Sequence, residues 1–179
     1  MRRAQDADAA ALAALAAVTF PLACPPHTSD AAKADFIARN LSQASFERYL
    51  ADATRAIFVA VAEAAADAGD ALTGYTMLVT GEPTDADVAA AVTRRPTIEL
   101  SKCYVHPDAH GGGVAAALMA ASIAHAERSG ASSVWLGVNQ LNARAQRFYA
   151  KHGFERVGVK RFLVGDRFED DYVYERVLR

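Results

Sequence analysis

Glu99, Cys103, the run Gly111-Gly112-Gly113 and Tyr149 are the residues of this chain whose types and spacing allow chemistry. The glycines follow a β-branched, aromatic and apolar stretch (Ile98, Leu100, Cys103, Tyr104, Val105) that Pro107 and Asp108 bring to an end. After them, Ala117, Leu118, Ala121, Ile123 and Ala124 recur at helical spacing. The order predicts a strand over 98–105, a short turn, and a helix starting near Gly112 and ending at Gly130. The first amides of a helix lack intrahelical partners, and the helix dipole favours negative charge there. Glycines at the entrance remove the Cβ atoms that would hold a bulky anion away, so the stretch suits a phosphate or pyrophosphate. It is not a P-loop, because Val114-Ala115-Ala116 follows where Gly-Lys-Ser/Thr is needed. Nor is it a dinucleotide fingerprint: Ala116 replaces the third glycine and the loop lies past mid-chain. By itself the run is also compatible with a flexible turn.

A second stretch carries independent information. Trp135 to Val138 reads as a strand, and Asn142, Ala145, Phe148, Tyr149, Gly153 and Phe154 follow at fixed intervals through a helix over 143–151. Asn142 stands at the helix start, where its amide caps the helix or meets a ligand. Ala145 keeps the helix thin, and Tyr149 sits one to two turns further along with a phenol directed toward the central strand. The two stretches together resemble the GNAT N-acetyltransferase superfamily. His110-Gly111-Gly112-Gly113-Val114-Ala115 is similar to its loop Arg/Gln-x-x-Gly-x-Gly/Ala, with His110 where Arg or Gln is usual. Asn142 to Phe154 is similar to its Asn-x-x-Ala-x-x-Phe-Tyr-x-x-x-Gly-Phe helix and turn.

That resemblance, which covers about the last 80 residues, implies an α/β fold. Its sheet is mixed and mostly antiparallel, flanked by helices, with a splayed parallel strand pair holding acetyl-CoA. The implied cofactor contacts are the amides of Gly111 to Ala115 for the pyrophosphate, with His110 and Val114 among them. The backbone of Cys103 and Val105 would pair with the pantetheine, and Asn142, Ala145 and Tyr149 would line its path. The implied reaction is direct acetyl transfer to an amine, with acetyl-CoA as co-substrate and no metal. Tyr149 is then the expected general acid for the departing thiolate. Glu99 is the expected base, acting through water, although a strand carboxylate is as often an ion-pair partner. Ser101 stands where relatives often carry a second Glu. Cys103 reads as strand packing more readily than as a nucleophile for a ping-pong route.

The acceptor is less defined. The tail from Val157 to Tyr174 resembles the subgroup that contains polyamine N-acetyltransferases, and Glu169 and Asp171 are the residues expected to attract a cationic amine. An acidic turn facing water explains them as well. The proline-rich segment after the first helix is where the family builds its acceptor pocket, which places Phe20 and His27 near it. Two other readings stay open: a protein lysine or N-terminal acetyltransferase, which needs a peptide-wide groove, and a non-catalytic acyl-CoA sensor, which does not need Tyr149. An antibiotic-modifying enzyme is a further small-amine version.

The elements that position these residues follow from the rest of the chain. At 179 residues, with 52% apolar and 22% charged residues, one domain spanning 1–179 with a real core is expected, not a disordered chain. A net charge of −2 gives no reason to expect nucleic acid. No long apolar run or signal-peptide start suggests a membrane partner. Cys24 and Cys103 are too few for a disulfide framework, so a cytoplasmic protein is expected, and the five histidines lack metal-ligand spacing. Dimerisation is common in such enzymes and a homodimer is compatible with the sequence. In chain order the pattern predicts an edge strand at 1–4 and a helix from Ala9 to about Phe20 broken by Pro21, Pro25 and Pro26. Helices near 30–40 and 46–54 come next, then strands over 56–62 and 72–80 forming a hairpin around a 66–71 loop. A polar insertion over 82–95 with a short helix leads to the central strand, and strands over 133–138, 154–162 and 168–179 complete the sheet.

Overall fold

The computed structural model describes residues 1–62, 71–164 and 167–179, the side chains of Phe162, Val164, Arg167 and Glu169 excepted. The expected loop around Gly69 and the Gly165-Asp166 turn lie outside the described residues. Seven strands form one sheet: β1 (Arg2–Arg3), β2 (Arg55–Val61), β3 (Leu72–Thr80), β4 (Thr97–Val105), β5 (Ser133–Asn139), β6 (Glu155–Val164) and β7 (Arg167–Val177). Their order is β1-β2-β3-β4-β5-β7-β6, and every pairing is antiparallel except β4–β5.

Helices cover both faces. On one lie α1 (Ala9–Ala23), α2 (Asp30–Asn40) and α3 (Gln43–Ala51), whose Leu12, Leu15, Phe20, Leu41 and Phe46 join Ile57, Val59, Tyr75 and Met77 in one core. The short α4 (Ala86–Ala91) adds Val88, packed with Trp135 and Val173 on that side. On the other face, α5 (Val114–Arg128) sets Met119, Ile123 and Ala126 against Leu78, Leu100, Val134 and Leu136, and α6 (Ala143–Lys151) packs its aromatics beside them. Phe46 is fully buried and meets Tyr75 edge-on at 5.6 Å. Truncating it to Ala removes that contact and leaves a void worth about 3–5 kcal/mol.

Local chemistry explains most element ends. Ser29 and Ser42 accept from the amides of Ala32 and Ser45 as N-caps of α2 and α3, and Asp85 caps α4. Helix α3 therefore starts at Gln43, with Ser42, of the two candidate serines Ser42 and Ser45, as its cap. Pro21 does not break α1. It lies in the last turn, where it forfeits one backbone bond, and the helix stops only where Pro25 holds Cys24 extended (φ −71°, ψ 148°). The mean hydropathy of residues 6–23 is 1.4, yet only a third of the stretch is buried on the sheet. Alanines fill the outer face of α1, and Val18 and Leu22 are exposed there. Arg95, expected as part of a solvated face, instead ties the insertion together: its guanidinium donates to Val92 O at 2.7 Å and pairs with Glu82.

Gly74 on β3 permits a close approach of helix α5. A Cβ there would stand 2.9 Å from Leu118 Cδ1 and 3.0 Å from Tyr104 O. Next to it, Thr76 and Ser122 share a buried hydrogen bond of 2.8 Å that fixes α5 against the middle of the sheet.

Candidate active site

The site grows from an irregularity in β4. Its register against β3 pairs Val79 with Glu99 and Leu78 with Leu100, then jumps to Met77 with Lys102, leaving Ser101 as the extra residue of a bulge. Side chains alternate along a regular strand, so residues three apart should face opposite ways. Here the bulge turns Lys102 and Tyr104 to the face of Glu99, toward α1–α3, and turns Cys103 to the face of Leu100, toward α5 and α6.

Pairing of β4 with β5 stops early. Only Thr97, Ile98 and Glu99 pair with Ser133, Val134 and Trp135, although β4 runs on to Val105 and β5 to Asn139. Beyond Glu99 the two strands part, and the edge of β4 toward β5 keeps backbone groups that no strand satisfies, an edge able to pair with an extended ligand. A cavity of about 390 Å³ occupies the region. Its lining draws on both faces of the sheet: Glu99, Lys102 and Tyr104 from one side of β4, Cys103 from the other, and Asn142, Ala145 and Tyr149 from α6. Phe20 and Phe36, stacked at 4.5 Å, close it from α1 and α2, with Cys24 and Pro25 beside them. Gly137, Asn139, Lys160 and Asp171 form the opposite wall.

Tyr149 and Cys103 both line this space, close enough for each to influence the other's titration. Burial pushes the Cys103 thiol up to about 12. Burial, reinforced by the neighbouring Cys103 and Tyr104, carries the Tyr149 phenol well above its ordinary value. Both groups keep their protons at neutral pH, which suits a proton donor and disfavours a thiolate nucleophile. Tyr104 is raised in the same way, first by burial. Lys102 is lowered to about 8 by burial, opposed by Glu99 and assisted by Arg55.

The glycine loop lies at the end of β4 that opens away from the pairing. Gly111 (φ +84°) and Gly113 (φ +77°) adopt the left-handed region, and nothing stands within 4 Å of a Cβ built on either, so backbone conformation is what calls for glycine there. Helix α5 begins with the bond from Ala117 N to Gly113 O at 3.0 Å, which leaves the amides of 114–116 for an anion. His110, where Arg or Gln was the pattern, places Nε2 3.0 Å from Val105 O, bracing the loop against the strand end.

Of the residues singled out from sequence, Glu99, Cys103, Asn142, Ala145, Tyr149, Phe20 and Asp171 line the one cavity. Val105, His110, Gly111, Gly112, Gly113, Val114 and Ala115 form a separate stretch at the strand end and helix start. His27 is exposed on the turn after α1 and does not line the cavity, and the side chain of Glu169 lies outside the described residues. Asn142 is a cap: its Oδ1 accepts from Ala145 N at 3.0 Å. Sequence reasoning missed Lys102, Gly137 and Lys160. Lys102 was hidden by the bulge. The other two come together only through β6–β7 pairing, which sets Lys160 against Asp171, while a Cβ at Gly137 would stand 2.5 Å from Lys160 Cε and 3.3 Å from Asp171 Oδ2.

The strand edge and the open helix start thus form an extended arm-and-anion site leading to a cavity that holds a proton donor. Comparison with known proteins agrees with this geometry. The acetyltransferase (GNAT) family model matches residues 20–154. An uncharacterized N-acetyltransferase of Mycobacterium tuberculosis is 47% identical over 171 residues, covering 96% of this chain and 98% of its own. Among solved structures, the PaiA N-acetyltransferase of Thermoplasma acidophilum in complex with coenzyme A has a TM-score of 0.75 at 16% identity, covering 99% of this chain and 97% of its own. A ribosomal-protein-alanine N-acetyltransferase from Brucella melitensis has a TM-score of 0.67 at 23% identity, covering 99% and 98%. With its splayed strands, glycine loop and family match, this chain belongs to the GNAT family and is an acetyl-CoA-dependent N-acetyltransferase.

Proposed function

We propose that the chain acetylates the primary amine of a small molecule held in the cavity between α1, α2 and the parted strands. The observation that carries this reading is that one cleft of about 390 Å³ is reached by Glu99 from one face of the sheet and Tyr149 from the other. That volume is of the order of small-ligand pockets, roughly 300–1,000 Å³.

Bound acetyl-CoA supplies the acyl group as a reactive thioester. The amides at the start of α5 and the glycine loop suit its pyrophosphate, and the open edge of β4 from Cys103 to Val105 suits its amide-bearing arm. Glu99 accepts a proton from the incoming ammonium, through water, so that the attacking nitrogen is neutral. Tyr149 keeps its proton in the buried site and donates it to the departing sulfur. Phe20 and Phe36 exclude bulk water.

The polyamine form of this reading rests on the acidic tail. Its Asp170 and Asp171 stand opposite Arg161 and Lys160 across β6–β7, so cations match these acids one for one. A ribosomal-protein alanine, the acceptor named for the Brucella protein, is a weaker fit to a space roofed by stacked aromatics.

CoA release from acetyl-CoA across spermidine, spermine, an aminoglycoside, amino acids and a lysine peptide tests the proposal. Turnover with small amines and little with the peptide is expected. Preference for the peptide overturns the small-molecule reading. Acetyl-CoA binding with no turnover on any amine points to a sensor instead.

A further inference from the structure

Among the described residues, the charges that line the cavity are two carboxylates, Glu99 and Asp171, and two ammonium groups, Lys102 and Lys160. They do not cancel in the same way. Lys160 and Asp171 are cross-strand partners, and both reach over the bare backbone of Gly137, which sets opposite charges close together on the far wall. Glu99 and Lys102 share a face of β4, yet neither makes an ion pair or a side-chain hydrogen bond among the described residues. The Lys102 ammonium instead rests 5.4 Å from the Tyr49 ring centre. The cavity therefore presents one outstanding anion and one outstanding cation on the same strand, side by side.

Building on the N-acetyltransferase reading, we propose that the acceptor is a small amine that also bears a carboxylate, its nitrogen served by Glu99 and its carboxylate bound by Lys102. A largely desolvated ammonium with no ion-pair partner is costly, Glu99 nearby offsets only part of that cost, and an incoming carboxylate supplies a direct partner. Its lowered value, about 8, reflects that cost. A polycation meets the opposite situation, since its second ammonium must lie beside Lys102 in a poorly solvated space. The bulge at Ser101 is the structural device: without it Lys102 would face α5 and the cavity would carry no cation on β4.

The test compares amino acids with their decarboxylated counterparts: ornithine with putrescine, phenylalanine with phenethylamine, 4-aminobutyrate with propylamine. For the wild type, kcat/KM should favour at least one carboxylate-bearing member by about tenfold or more, the scale of one charge-assisted contact. Lys102→Met should collapse that ratio toward unity, mainly through KM, and Lys102→Arg should retain most of it. Thermal unfolding and acetyl-CoA calorimetry check that each variant is folded and binds the co-substrate; if Lys102→Met does not fold, Lys102→Gln takes its place. Better turnover of diamines or polyamines, or an equal fall for both members of each pair in the variant, overturns the inference while leaving N-acetylation intact. Acetyl transfer to no amine at all overturns both.

Discussion

Glu99 and Lys102, three residues apart on β4, project from the same face of the sheet because Ser101 bulges between them. Lys102 is held at about 8 against an ordinary 10.5, with burial as the main cause and Arg55 adding to it while Glu99 opposes. Tyr49 packs over the ammonium. Between those two pH values the unfolded chain binds a proton that the folded chain does not, so this group makes stability rise with pH across the window. Below pH 8 its cost is fully present. Lys102→Met should therefore raise the melting temperature at neutral pH, by an upper bound of roughly 3 kcal/mol. The gain over wild type should shrink as pH climbs through the window. Thermal melts of both proteins across that range check it; a gain that does not vary with pH assigns the effect to packing.

Tyr149→Phe removes the proton but keeps the ring. Turnover should fall by about 10²–10⁴, the usual contribution of a positioned acid, while acetyl-CoA affinity by calorimetry stays within a few-fold. Because the phenol is raised well above its ordinary 10, the wild-type rate should show no falling limb until the pH passes that ordinary value. Loss of rate and affinity together would remove Tyr149 from the acid role.

Cys103 holds its proton up to about 12, so a covalent acetyl-enzyme through its sulfur is not expected. Cys103→Ala should keep most of the turnover and lose about 1–2 kcal/mol of stability from packing against the α5–α6 core. Intact-mass spectrometry after incubation with acetyl-CoA and no acceptor should find no acetyl adduct on Cys103. Finding one reinstates the two-step route.

Gly113 caps α5 with φ +77°. Gly113→Glu adds strain and a negative charge at the helix start and should abolish acetyl-CoA binding, whereas Gly113→Ala adds only the strain, about 1–2 kcal/mol. Calorimetry on the pair separates the two effects. Wild-type affinity in the Glu variant places the pyrophosphate elsewhere.

Tyr75 is fully buried at the centre of the α1–α3 core, and its hydroxyl has no hydrogen-bond partner among the described residues. Tyr75→Phe should be neutral or stabilising by up to about 1 kcal/mol, because it deletes a desolvated polar group and leaves the edge-on contact with Phe46. A shift of the urea midpoint to lower concentration contradicts this.

Much of this molecule is local and was legible as sequence. Strand β3 and helix α6 fall at the boundaries that alternation and helical spacing predict, because those patterns report burial on one face. Helix ends were harder: Ser42 and Ser45 offer two starts for α3, of which Ser42 is the cap, and Pro21 sits harmlessly in a last turn. The glycine run and the spacing from Asn142 to Phe154 were enough to identify the family, since Gly111, Gly113, Asn142 and Gly153 answer backbone or capping demands within their own elements. Tertiary structure decided which side chains meet. The jump in register at Ser101 is set by pairing with β3, and alternation alone would have put Lys102 on the opposite face from Glu99. The matching of Asp171 with Lys160 depends on β6–β7 pairing, and the notch that admits both depends on β5 lying beside β7. Sequence periodicity describes one strand at a time; the charge of a pocket belongs to several strands at once, and only their registry determines it.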